Sequence, residues 1–369
     1  MYRKEVKIAV LLGDGVGPEL CRQAIGTLDL LAEHYGLNVS IKEFPCGAAY
    51  WQESGREWAR EAEDYCRNEA DAILFGSVGL PGVVRPDGKV AGLGVVQGLR
   101  SGLELYANLR PVELFADDIP GVFYRPEDIH LLLVREVTEG LYAGQGGVLI
   151  QEGKAAVAND LRTITAAGTE RIGRFAFHQA QKAGAPDRKA ALTCVDKSNV
   201  LIGCQLFNKK IMELAAEYPD VIVNSARIDN FALEVLRNPQ KYQICVTTNC
   251  FGDILADLMA FFEGGSGMSP TGNFGRNKAM FEPLHGPQAN LKGKNEANPV
   301  AIHRCLIMML EWLAERSEEP AFSTAAVSLH AALVKSVKEG KRTPDIGGIC
   351  TSEQATDAIR EELLQIVKK

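Results

Sequence analysis

The sequence predicts an α/β fold divided into two domains. Three observations predict it. Short apolar runs alternate with helix-like segments, the rhythm of a sheet with helices packed on it. The later runs end in polar or charged residues, as strands do where chemistry gathers at the carboxyl ends of a sheet. The chain has 369 residues, enough for two domains or three, and 46% of them are hydrophobic, enough to bury large cores.

The elements follow in order. "KIAVLL" reads as a first strand, with a helix from Glu19 to Tyr35 behind it. "NVSIKEF" precedes a helix around Glu57 to Glu69, and "DAILFGSVG" is a short buried strand. Residues 76–98, rich in Gly and Val, read as a mobile loop near a site. "IHLLLVRE", "KAALTCVDK", "DVIVNSARID" and "YQICVTTN" read as strands whose ends carry Arg135, Lys197, Asp229 and Asn249. Residues 145–165 alternate weakly and read as an arm. Long helices fill the C-terminal third, among them "AIHRCLIMMLEWLAER" and "TAAVSLHAALVKSVKEG".

The turn "GDGVGPE" after the first strand is ambiguous. Two glycines so placed begin a dinucleotide-binding fingerprint, G-x-G-x-x-G, and Glu43 could pass for its acidic partner. Pro18 takes the third glycine's place. A proline also suits the first residue of a helix, and Gly15 and Gly17 would then only shape a tight turn. The structural role is the stronger reading, and cofactor contact stays open on these residues.

Composition excludes several classes. A net charge of −7, from 40 basic and 47 acidic residues, disfavours nonspecific nucleic-acid binding. Nine scattered cysteines, an odd number with no CxxC pair, argue against a disulfide framework or a structural zinc. They point to a reducing, cytoplasmic compartment. The opening "MYRKEVKIAVLLGDG" reads as a first strand and not a signal peptide. No stretch approaches the roughly 18 apolar residues of a membrane span.

Five constellations carry chemistry. Arg100 and Arg110 in "LRSGLELYANLRP", with Arg135 of "LLLVRE", could form a carboxylate clamp; singly, each suits a salt-bridged surface. Tyr142, between glycines in "VREVTEGLYAG", could be a general acid or a packed tyrosine. Lys197 in "VDKSNV" could transfer protons or be solvated surface. Asp253 and Asp257 of "NCFGDILADLM" share one face of a helix that opens just after Gly252, and with Asp229 could bind Mg²⁺ or Mn²⁺. Asp253 could instead cap that helix or favour its dipole, which leaves Asp257 unexplained. The loop "FEPLHGPQANLKGKNEANP" has suitable chemistry for an adenosine in His285, Asn290 and Asn298.

In order and spacing these strings resemble the isocitrate/isopropylmalate dehydrogenase family of β-decarboxylating dehydrogenases, from "GDGVGPE" to "RTPDIGG" at 342–348. The resemblance implies a two-domain fold of non-standard Rossmann topology with a mixed sheet. One domain would be 1–105 with 264–369, on the cofactor side. The other would be 106–263, with the arm, for dimerisation, metal and substrate. It implies a homodimer with shared active sites, and neither nucleic-acid nor membrane partners. Arg100, Arg110 and Arg135 would hold the carboxylates of a malate-type substrate. Asp253 and Asp257 would bind the metal with Asp229 of the other subunit. Tyr142, and Lys197 of the other subunit, would handle protons. Asn199 would lie near the nicotinamide, and His285, Gly286, Asn290 and Asn298 would contact the adenosine half.

The segment before Arg100, "LGVVQGLR", departs from the family's patterns. Leu93 stands where isopropylmalate enzymes carry Glu, and Val96 and Gln97 replace their leucine pair. The Ser and Asn of isocitrate enzymes are absent. The expectation is a 3-substituted malate, isopropylmalate leading, with isocitrate, homoisocitrate or tartrate as alternatives. Asn290 stands where NAD-using members carry Asp, and Leu291 follows it, so NAD is favoured and NADP is not excluded. Two other classes are weighed. A non-catalytic regulatory subunit would not need Tyr142, Lys197 and three aspartates. A plain Rossmann dehydrogenase using 13–18 would need no metal and release no CO₂.

Overall fold

The computed structural model describes residues 5–184 and 189–368. Residues 1–4 of the segment read as a first strand lie outside them. In chain order the elements are β1 (Val6–Leu11), α1 (Gly17–Tyr35), β2 (Val39–Phe44), α2 (Ala48–Ser54), α3 (Arg60–Asn68), β3 (Ala72–Phe75) and α4 (Leu93–Gly102). Then come β4 (Ala107–Glu113), β5 (His130–Glu136), β6 (Gly146–Gln151), β7 (Lys154–Asp160), α5 (Ala166–Ala183), β8 (Ala190–Asp196) and α6 (Ile202–Leu214). The chain continues with β9 (Val221–Arg227), α7 (Ile228–Arg237), β10 (Ile244–Thr247), α8 (Asn249–Ala260), β11 (Pro270–Phe274) and β12 (Ala279–Pro283). Three helices close it: α9 (Val300–Ser317), α10 (Pro320–Lys338) and α11 (Ser352–Val367).

The chain divides into two compact units: residues 1–103, 113–126 and 260–369, and residues 104–112 and 127–259. In the first, strands run in the order β2-β1-β3-β12-β11. β1 pairs parallel with β2 and β3, β12 pairs parallel with β3, and β11 lies antiparallel to β12. That antiparallel strand makes the sheet mixed, as expected. Helix α9 packs against β11 and β12. It is buried almost all round from Val300 to Leu310, which fits a core helix more than a surface one.

In the second unit the order is β4-β5-β10-β8-β9. β10 is parallel to β5 and β8, and β8 to β9. The ends that the sequence singled out therefore share one edge. β6 and β7 pair antiparallel as a separate two-stranded arm, exposed along its whole length.

Two local expectations are corrected. Residues 93–98 are not loop; they begin α4, whose Val95 and Leu99 are buried. α8 begins at Asn249 and not after Gly252. Asp253 thus lies a full turn inside the helix, where it cannot cap the N-terminus.

Candidate active site

The second unit brings four of the expected residues together. Arg135 is the penultimate residue of β5 and pairs in register with Thr247 of β10, and α8 starts two residues after Thr247. Its Nε and Nη2 both donate to Asn249 Oδ1, at 3.1 and 2.7 Å, and its Nη1 donates to Asp253 Oδ1. Asn249 Nδ2 donates to the Glu139 carbonyl at 2.9 Å, which fixes the amide's orientation. Arg110, on the neighbouring strand β4, places Nη2 4.0 Å from the same Asp253 oxygen. Its Nε donates to Asn108 Oδ1 at 3.0 Å. Tyr142 stands in a single helical turn between Gly140 and Gly144, both at positive φ. Its hydroxyl donates to Asp253 Oδ2 at 3.3 Å, and its ring lies 5.7 Å from the Arg135 guanidinium.

Both guanidiniums are buried, at 7% exposure for Arg110 and 2% for Arg135. Guanidinium does not shed its proton, so this corner keeps positive charge in a poorly solvated place. Partial burial, the neighbouring Cys250 thiol and the Asp253 carboxylate push the Tyr142 phenol up to about 12. It holds its proton at neutral pH. Gly252 is required by close approach: a Cβ there would lie 2.6 Å from Arg135 Cγ.

Lys197 and Asp229 form a separate pair, Nζ to Oδ1 2.8 Å, just past the ends of β8 and β9. The ammonium holds the Asp229 carboxyl below the usual range. Asn199 is exposed in the same turn. Among the described residues no three His, Cys, Asp or Glu side chains gather as a metal site. Asp253 and exposed Asp257 nevertheless offer two oxygen ligands one turn apart on α8, suited to a hard divalent cation.

In the first unit, Arg100 Nη2 donates to Glu282 Oε1 at 3.2 Å, while its buried Nε has no hydrogen-bond partner among the described residues. Val96 is half-buried and Gln97 exposed on α4. His285 is buried. Its Nδ1 donates to the Gly286 carbonyl at 2.8 Å, so Nε2 carries the lone pair. That Nε2 has no partner among the described residues, and burial holds the ring below its usual pKa. An unmet buried acceptor beside Gly286, where a Cβ would meet nothing, fits a nucleotide's donor. Asn290 is exposed, as are Lys292 and Lys294 after it. Asn298 is held by the fold: Oδ1 accepts from the Val300 amide opening α9, and Nδ2 donates to Asp345.

The turn "GDGVGPE" is a fastener. Asp14 is buried, and its carboxylate accepts from the amides of Ala48, Ala49 and Gly79 at 2.7 to 2.9 Å. The Val16 amide donates to the Pro287 carbonyl at 2.9 Å. Sequence reasoning missed Asp14 and Glu282, although both lie inside quoted motifs. It noted Asn249 only as a strand end. Two carboxylates and an amide that orient others leave no spacing signal of their own.

This fold, with paired arginines facing an acidic helix, defines a β-decarboxylating dehydrogenase class. The chain belongs to the isocitrate/isopropylmalate dehydrogenase family, whose model matches residues 7–363. A 3-isopropylmalate dehydrogenase of Thermobifida fusca is 36% identical over 374 residues, 99% of each chain. That of Methylococcus capsulatus is 34% identical, over 98% of this chain and 99% of the other. Among solved structures, isocitrate dehydrogenase from Methylococcus capsulatus superposes with a TM-score of 0.85 and 31% identity, covering 97% of this chain and 99% of that one. A β-decarboxylating dehydrogenase from Thermococcus kodakarensis, in its apo form, gives 0.79 and 33%, covering 98% and 96%. The family's reaction is oxidative decarboxylation of 3-substituted malates, generally with NAD and a divalent metal ion. No helix among the described residues is long and apolar enough to cross a membrane.

Proposed function

We propose that the enzyme oxidises a 3-substituted malate at its C2 hydroxyl and decarboxylates the product, with a 3-isopropylmalate-like substrate leading. The observation that carries it is the convergence of buried Arg110 and Arg135, with Tyr142, on Asp253. Two fixed guanidiniums suit a carboxylate, each able to hold it with two bonds. In the second unit Arg110 and Arg135 hold carboxylate. In the first, Arg100 holds carboxylate, and Val96 and Gln97 read the substituent.

Asp253 and Asp257 would hold Mg²⁺ or Mn²⁺, with Asp229 supplied by a second copy of the chain. Such a cation, when bound, lowers the pKa of a ligated hydroxyl and stabilises developing negative charge. NAD, when bound, accepts the hydride from C2. Lys197, also from the second copy, takes the hydroxyl proton. Tyr142, protonated at neutral pH, gives a proton to C3. His285, Gly286 and Asn290 face the adenosine half, Asn298 anchors their loop to α9, and Asn199 lies on the nicotinamide side.

A homodimer in the cytoplasm completes the reading. Val148, Leu149, Ile150 and Val157 on the arm and Ile254 on α8 are large apolar side chains left exposed, as an interface requires. All nine cysteines are free.

The test is turnover of a panel of 3-substituted malates, with NAD and NADP, with and without Mg²⁺. NADP belongs in the panel because Asn290 is uncharged and Lys292 and Lys294 follow it. Metal-dependent CO₂ release with reduction of the cofactor is expected. No turnover of any member with metal present overturns the reading.

A further inference from the structure

The loop 83–91 and helix α4 meet on one carboxylate. Glu57, with a side chain 10% exposed, lies between α2 and α3. Its Oε1 accepts from the amides of Gly92 at 2.6 Å and Gly94 at 3.3 Å. These are the cap residue and the second residue of α4. Gly92 has no side chain to cap its own helix, so Glu57 supplies the cap from elsewhere in the chain. A carboxylate there also faces the positive end of the helix dipole. Its Oε2 accepts from Arg85 Nη1 at 3.1 Å. Arg85 belongs to a small bridged loop in which Val84 pairs with Val90.

The fit is close. A Cβ at Gly94 would lie 1.8 Å from Glu57 Oε2, and one at Gly98 would lie 3.4 Å from Trp58 Cζ2. Residues four apart share a helix face, so Glu57 and Trp58 grip α4 at two successive turns. That helix carries Val96 and Gln97. Its rotation decides where both side chains stand. Arg100, near its other end, has a separate anchor in Glu282.

We propose that Glu57 is the positioning residue for substrate selection. It fixes the first turn of α4 and ties it to the 83–91 loop through Arg85. The assignment rests on the functional reading above, in which Val96 and Gln97 face the malate substituent. Loss of the carboxylate frees the turn bearing Val96 and Gln97 and leaves Arg100 held. Discrimination among substituents then relaxes, while the chemical step persists.

The experiment compares wild type, Glu57→Ala, Glu57→Gln and Gly94→Ala on the malate panel, with amide hydrogen exchange over residues 92–100. Glu57→Ala is expected to raise KM for the preferred malate about tenfold, with kcat within about threefold, and to cut the preference over the next malate about tenfold. Gly94→Ala, which displaces the carboxylate, should do the same. Glu57→Gln keeps an acceptor for both amides and should restore most of the preference. Exchange over 92–100 should quicken in Glu57→Ala and Gly94→Ala only. Unchanged selectivity or unchanged exchange in Glu57→Ala overturns the proposal. So does a parallel fall of kcat, selectivity and melting temperature that Gln does not rescue, which would mark a merely structural role. If the variants keep wild-type selectivity while wild type turns over, this assignment falls and the functional reading stands. If wild type turns over no malate, both fall.

Discussion

Arg135 holds two residues of α8 at once: Asn249 with Nε and Nη2, and Asp253 with Nη1. One rigid guanidinium therefore sets both the start of the helix and the direction of its first carboxylate. A lysine has no such fork. Arg135→Lys should lower kcat/KM about a hundredfold, on the order of 3 kcal/mol of transition-state stabilisation, mostly through KM. Steady-state kinetics on the best malate checks this. A change below about threefold would remove Arg135 from substrate and helix alike.

Asp253 and Asp257 make separable contributions. Asp253→Asn should abolish metal-dependent turnover and weaken Mn²⁺ binding by calorimetry at least tenfold, because a neutral amide is a poorer ligand for a hard cation. Asp257→Asn should weaken Mn²⁺ similarly. Only Asp253→Asn also removes the anionic partner of Arg135, so only it should alter substrate affinity without metal. Equal Mn²⁺ affinity in wild type and both variants would refute the metal assignment.

Tyr142 contributes through its proton. Its pKa is raised to about 12, so the phenol stays protonated through the usual assay range. The raised pKa favours the fold fully below the unfolded value near 10, and that contribution fades as pH rises towards 12. Tyr142→Phe should therefore lower kcat about a hundredfold without shifting any activity limb between pH 6 and 9, since removing a positioned acid costs on this order. A lost alkaline limb in that window would show that Tyr142 titrates there.

His303 predicts an acid sensitivity away from the site. It is fully buried on α9, with Nδ1 donating to the Pro299 carbonyl at 2.7 Å and Nε2 3.0 Å from Thr27 Oγ1. Burial lowers its pKa to about 4. The unfolded chain, with an ordinary histidine near 6.5, then binds more protons between these values. Stability is full above pH 6.5 and falls as pH drops towards 4, by about 3 kcal/mol from this group. His303→Gln should flatten the melting temperature against pH in that window. An unchanged slope would assign it to other groups.

Much of this was legible in the sequence for a physical reason. Parallel strands buried on both faces write themselves as apolar runs, and their ends are where Arg135, Lys197 and Asn249 stand. The first residues of α4, 93–98, read as loop in the sequence because its capping glycine and Gly94 look like loop residues, and its cap, Glu57, comes from another part of the chain. Asp253 looked like a helix-start residue because Gly252 precedes it. That glycine is there for the side chain of Arg135. Long-range hydrogen bonds such as that from Arg100 to Glu282 join segments whose separation no periodicity encodes.

Gly15 adopts φ +58°, and a Cβ on it would sit 1.8 Å from the Pro287 carbonyl. The glycine that imitates a phosphate loop is thus a spacer pressed against the chain that follows His285. On the function proposed for His285, a side chain at Gly15 would weaken nucleotide binding by displacing Pro287 and the loop behind it, with no need for the turn to touch the nucleotide.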